Sequence, residues 1–189
     1  EHFWSQAAQA VDRISPPVTT YDPVQGWFAG GTLNTCHNCL DRHVAAGRGD
    51  APALIYDSPV TGTISRYSYA ELLEETGRVA AMLASLGVVA GDRVIIYMPM
   101  IAEAVFAMLA CLRIGAIHSV VFGGFAAASL ATRIDDASPK VMVTADAGMR
   151  AGKAVPYKHL VDEAVRLAEH TPARGLLATT SPFTPPPPP

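Results

Sequence analysis

The chain has 189 residues, 50% of them hydrophobic, with 14 Lys plus Arg against 17 Asp plus Glu and a net charge of -3. So apolar a chain buries a core rather than staying disordered, and without a long run of one sign it carries no electrostatic footprint for nucleic acid. Its apolar runs, 94–98 and 101–112, are interrupted by Pro99, Glu103 and Arg113, short of the ~20 residues a membrane-spanning helix needs.

Residues 1–31 set Trp4, Trp27 and Phe28 among the turn-formers Pro16-Pro17 and Asp22-Pro23, the pattern of an extended arm pinned by aromatics with one short amphipathic helix. From 33 to 44 apolar residues recur at helical spacing, and 47–50 supplies a stop before a short strand at 53–56. A second strand is expected over 64–67. Ser68 with Glu71 three residues on forms a capping box, predicting a helix to about Leu86 closed by Gly87. The pattern then repeats: strand 93–97, helix 101–114, strand 118–122, helix 126–135, strand 140–144 and helix 158–169.

Strands such as Val94-Ile95-Ile96-Tyr97 are apolar at consecutive positions, which suits a parallel sheet covered on both faces better than an exposed hairpin. The expected fold class is α/β, a doubly wound, mostly parallel sheet. A last strand is expected over 175–178. Beyond it the chain ends in Pro185 to Pro189, which favour polyproline II and cannot join a sheet interior. The expected organisation is therefore an N-terminal arm with short helices (1–50), an α/β lobe (51–178) and a proline-rich tail (179–189).

Three constellations invite a chemical reading. Phe122-Gly123-Gly124-Phe125 lies between a strand and a helix, where ligands bind in open α/β sheets. The glycines would let a ligand approach the backbone, and the helix start suits an anion; equally, they could serve a tight turn with positive φ. Asp146 to Lys153 follows another strand and carries Arg150, Ala151, Gly152 and Lys153. Arg150 could fork onto a phosphate and Lys153 add a second charge, or both could simply be solvated. Cys36-His37-Asn38-Cys39 with Asp41 and His43 offers a zinc half-site, but Cys111, the remaining cysteine, falls in an apolar helix, so no metal is expected. An odd number of cysteines also fits a reducing cytoplasm rather than a disulfide framework, and Glu1-His2-Phe3-Trp4 lacks the basic start of a secretory signal. His118, at a strand mouth, is expected to be hydrogen-bonded structure.

Seven ordered blocks carry a resemblance: Trp27 to Asn34, Asn38 to His43, Gly91 to Val94, Ile96 to Met100, Met108 to Cys111, Arg113 to Ala116, and His118 to Phe125. Together they resemble AMP-forming acetyl- and propionyl-CoA synthetases of the adenylate-forming superfamily. Ile55 to Thr61 looks closer to the propionyl type. The resemblance implies an incomplete N-terminal part of an adenylate-forming domain, from an enzyme that joins a short carboxylate to coenzyme A using ATP and magnesium. It implies that Phe122, Gly123, Gly124, Arg150, Ala151, Gly152 and Lys153 contact coenzyme A. Ala102 stands where the family usually has proline, a change expected to leave function alone. The family's Gly-rich ATP-phosphate loop, acyl pocket and C-terminal lysine domain have no counterpart in these residues. The chain is therefore expected to be inactive alone, to need the rest of its AMP-binding domain and that lysine domain as partners, and to self-associate through uncovered edges. Nucleic-acid and membrane partners are not expected, and the expected location is the cytoplasm.

Overall fold

The computed structural model describes residues 2–13, 28, 30–150 and 152–180. Helix α1 (His2–Ala8) opens the chain, as the short helix expected near the N-terminus. The predicted aromatic pins Trp4 and Trp27 and the Pro16-Pro17 turn lie outside the described side chains or residues. Phe28 is described at φ 58, with the Arg13 guanidinium 5.6 Å over its ring.

The helix expected over 33–44 forms with wider π turns, His37–Asp41 and Val44–Arg48, and runs on to Arg48. Gly47 takes φ 76 inside the second stretch; lacking a Cβ, it turns the chain left-handed there without a clash. Strands β1 (Pro52–Ser58) and β2 (Thr63–Ser68) then pair as an antiparallel hairpin separate from the main sheet. Ser68 caps α2 (Tyr69–Ser85): its hydroxyl accepts from the Glu71 amide at 3.2 Å and the Glu71 carboxylate accepts from the Ser68 amide at 2.8 Å. Those two bonds satisfy donors that a helix start leaves unpaired.

The main sheet has four parallel strands in the order β4-β3-β5-β8: β3 (Arg93–Tyr97), β4 (Ile117–Val120), β5 (Val141–Ala145) and β8 (Arg174–Ala178). Helices α3 (Ala102–Ile114), α4 (Ala127–Ala137) and α5 (Tyr157–Leu167) connect them. The expected mostly parallel α/β sheet is the one found. β4 closes two residues earlier than expected, at Val120, because the Gly-Gly turn that follows takes Phe122 out of the ladder.

Alternation along the central strands assigns the two faces. Val94, Ile96, Val141 and Val143 pack with Leu83 of α2 and Ala110 of α3. Ile95, Tyr97 and Met142 pack on the other side with Leu130 of α4 and Ala164 of α5. Both layers are dry, since Val94, Ile95, Ile96 and Tyr97 are each 0% exposed, and each large side chain so buried contributes about 1.5–3 kcal/mol. A third cluster, with Cys36, Leu40, Leu72 and Phe106, fastens the π-helical segment to α2 and α3.

The segment 146–153, read as a loop, instead enters a small antiparallel hairpin of β6 (Gly148–Arg150) and β7 (Lys153–Val155). Three residues per strand are too few to show an alternation, and two glycines mask what little there is.

Candidate functional site

In this strand order β3 leads through α3 to β4 on one side, while β5 lies on the other side of β3. The loops leaving the carboxyl ends of β3 and β5 therefore diverge, and the crevice between them is where doubly wound sheets take ligands. A cavity of about 770 Å³ opens at that point. Pro99, Met100, Phe122, Gly124, Arg150 and Tyr157 line one side, and the β1–β2 hairpin closes the other with Tyr56, Ser58 and Val60.

The two glycines of the Phe-Gly-Gly loop are there for space. Neither is among the positive-φ residues, so the tight-turn alternative is not what selects them. A Cβ on Gly124 would overlap the Arg150 guanidinium, lying 2.6 Å from Cζ, and would come 2.7 Å from Cε1 of Phe122. A Cβ on Gly123 would overlap the Tyr157 hydroxyl and come 2.9 Å from Cε1 and Cζ of that ring. With no Cβ on Gly124, the Arg150 guanidinium lies 4.9 Å from the centroid of Phe122, a cation–π distance. Phe122 is 60% exposed and also meets Phe125 edge-on at 5.7 Å.

Across the β6–β7 hairpin Arg150 is in register with Lys153, joined through residues 151–152 with Gly152 at φ 75. Two like charges directly opposite on neighbouring strands repel, a cost that an anion bound between them would remove. Phe122, Gly123, Gly124 and Arg150 line the cavity, whereas Gly152 and Lys153 stand at the hairpin tip and are not among its lining residues. Ala151 lies outside the described residues.

Tyr157 and Thr180 line the cavity, and Tyr97 and Asp146 stand behind them. The Tyr97 hydroxyl donates to the Phe125 carbonyl at 2.7 Å, and its ring lies 5.1 Å from that of Tyr157. Burial pushes both phenols above their ordinary range, with the Arg150 cation opposing the rise. Asp146, at the end of β5, accepts from the amides of Thr180 at 3.0 Å and Ala147 at 2.7 Å and from the Thr180 hydroxyl; the Thr180 hydroxyl is the main cause holding its carboxyl below the usual range. None of these four was singled out by spacing: Tyr97 reads as a strand residue and Tyr157 as a helix start, and only the crevice joins them.

The Cys-x-x-Cys segment is otherwise engaged. Arg113 forks onto Asp41 at 2.9 and 3.0 Å and reaches the Cys36 thiol at 3.7 Å; burial pushes that thiol up. Among the described residues no group of three or more His, Cys, Asp or Glu side chains is placed to hold a metal ion, and no helix is long and apolar enough to cross a membrane. His118 departs from expectation: its Nδ1 is buried without a hydrogen-bond partner among the described residues, and burial lowers its pKa. It sits near the amino end of β4, away from the crevice, in register with Val94.

The chain is 50% identical over 181 residues to acyl-CoA synthetase short-chain family member 3, mitochondrial, of Rattus norvegicus, which covers 94% of this chain and 26% of the relative. It is 51% identical over 181 residues to the propionate–CoA ligase of Salmonella typhimurium, covering 94% of this chain and 29% of the ligase. The chain thus spans little more than a quarter of the length of these relatives. Residues 1–39 match the family described as acetyl-coenzyme A synthetase N-terminus. Residues 41–187 match the family described as AMP-binding enzyme, a span that takes in the whole crevice, and the chain belongs to that AMP-binding enzyme family.

Proposed function

We propose that this chain is the coenzyme A-contacting part of an AMP-forming short-chain acyl-CoA synthetase acting on acetate or propionate. The observation that carries this reading is the Arg150 guanidinium lying over Phe122 across Gly124 at the mouth of the crevice. Coenzyme A presents an adenine face, a 3′-phosphate and a pyrophosphate. An exposed aromatic ring offers the adenine a stacking surface, and a guanidinium with a neighbouring ammonium offers the phosphates charge-assisted bonds. Phe122, Gly123, Gly124 and Arg150 would form the floor, with Ala151, Gly152 and Lys153 at the hairpin tip.

In the reaction, a carboxylate and MgATP give an acyl-adenylate and pyrophosphate, and the thiol of coenzyme A then displaces AMP. These residues serve the second step by binding. The charge that develops in the first needs a phosphate cradle and a cation, and those come from the remainder of the AMP-binding domain and the C-terminal lysine domain, the chain's partners in this proposal. Location in the cytoplasm is part of the same proposal.

The relatives named as a short-chain acyl-CoA synthetase and a propionate–CoA ligase support it. The test joins this chain to the part of the Salmonella ligase beyond the matched region and supplies acetate or propionate with ATP and coenzyme A. Acyl-CoA and pyrophosphate are expected from the joined protein, and none from the 189-residue chain. No pyrophosphate from the joined protein, if folded, would overturn the proposal.

A further inference from the structure

Tyr157 lines the crevice between the two segments that carry Phe122 and Arg150 and touches both. Its ring packs where a Cβ of Gly123 would stand, and on its other edge Cε2 lies 2.9 Å from where a Cβ of Gly148 would stand. Gly123 is in the Phe-Gly-Gly loop; Gly148 opens the hairpin that carries Arg150. Only glycine at both places lets a six-membered ring lie between the two main chains. That ring is 4% exposed and is backed by Tyr97, whose hydroxyl pins the carbonyl of Phe125 at the far end of the loop. Pro99, at the end of β3, closes the third side, its Cβ 2.9 Å from the same position on Gly148.

We propose that Tyr157 is a positioning residue: a wedge at the start of α5 that sets the spacing between the Phe122–Phe125 loop and the Arg150 hairpin, so that guanidinium and phenyl ring meet a nucleotide phosphate and base together. This rests on the coenzyme A reading for the ligand, but the spacing itself does not. The two walls lie on segments more than 20 residues apart in the chain, neither pairs with the main sheet, and a rigid aromatic ring loses little conformational entropy in holding them.

Two measurements separate the claims. Hydrogen exchange on the full 189-residue chain follows the spacing without a ligand. Y157L should raise exchange about tenfold at Phe125 and in 148–155 while leaving the central amides of β3 and β5 unchanged; Y157F should match wild type, because the ring and not the hydroxyl does the spacing. G123A should loosen the same two segments, and Y157L should restore part of the protection in the double variant by making room for the new methyl. An unchanged profile in Y157L, exchange raised evenly across the sheet, or G123A and Y157L effects that simply add would overturn the wedge. The ligand is tested in the joined protein: Y157L should raise the KM for coenzyme A about tenfold with kcat and the KM for ATP within twofold. Local loosening with no change in that KM would overturn the positioning role, whereas a joined protein without ligase activity would overturn the coenzyme A reading and leave exchange to decide the wedge.

Discussion

Arg150 and Phe122, 28 residues apart in the chain, meet with the guanidinium carbon 4.9 Å from the ring centroid, across a glycine whose missing Cβ is what admits them. The contact holds a long cationic side chain over an exposed ring, and so aims both at one ligand. In the joined enzyme, R150A should weaken apparent coenzyme A affinity by one to two decades, the effect of losing a charge-assisted contact of about 1.5–3 kcal/mol. Adenylation, followed as pyrophosphate exchange without coenzyme A, should stay within about twofold. R150K should recover little, since an ammonium neither forks onto phosphate nor stacks on the ring. Equal losses in both half-reactions would sink the assignment.

Arg113 ties the π-helical segment to α3 through its fork on Asp41. Both side chains are about a quarter to a third exposed, so the ion pair itself is screened; the larger cost of breaking it is the Asp41 carboxylate left half-buried. R113A should lower unfolding free energy by about 1–2 kcal/mol in urea denaturation, and pairing it with D41N should recover part of that. A double variant as unstable as the sum of its parts would show that the fork is not coupled.

The carboxyl of Asp92 is held below its ordinary value first by the Lys140 ammonium at 2.9 Å and then by the Val89 amide; Asp146 is lowered by Thr180. A carboxyl more acidic in the folded state binds fewer protons there than when unfolded. Its contribution is therefore full above the unfolded pKa and is lost as pH falls through the folded one. Thermal stability should drop between about pH 5 and pH 2, and the drop should be shallower in D92N and D146N. A variant with the same acid limb as wild type would assign that limb to other carboxyls.

β4 is an edge strand with Ile117 and Val120 57% and 55% exposed, and Met100 nearby in the crevice wall is 90% exposed. Apolar edges of this kind template pairing with other chains. The isolated chain should therefore self-associate with rising concentration in sedimentation velocity, and V120K should shift it toward monomer. Concentration-independent monomer in the wild type would contradict this.

The alternation of secondary structure was legible because it is written in local spacing: the Ser68 and Glu71 box, the unbroken Val94 to Tyr97 run and the Gly87 stop each act within a few residues. Errors fell where strands were short. β6 and β7 hold three residues each, and their pairing comes from the two-residue connection at 151–152 and from Gly148 seated against Pro99 and Tyr157, contacts spacing does not record. The loop glycines at 123 and 124 were visible as a motif but not as a choice between turn and clearance, because that depends on what stands opposite.

By itself the sequence determined the α/β order, the burial of the central strands on both faces and the seven blocks of resemblance, since burial on both sides of a parallel sheet demands consecutive apolar residues and helical amphipathicity is periodic. Only the tertiary structure decided that Arg150 lies over Phe122, that Asp41 and Cys36 answer to Arg113, and that Tyr157 stands between the two walls of the crevice. Those relationships join residues tens of positions apart, and what selects them is excluded volume and charge at the carboxyl end of the sheet, which no local pattern encodes.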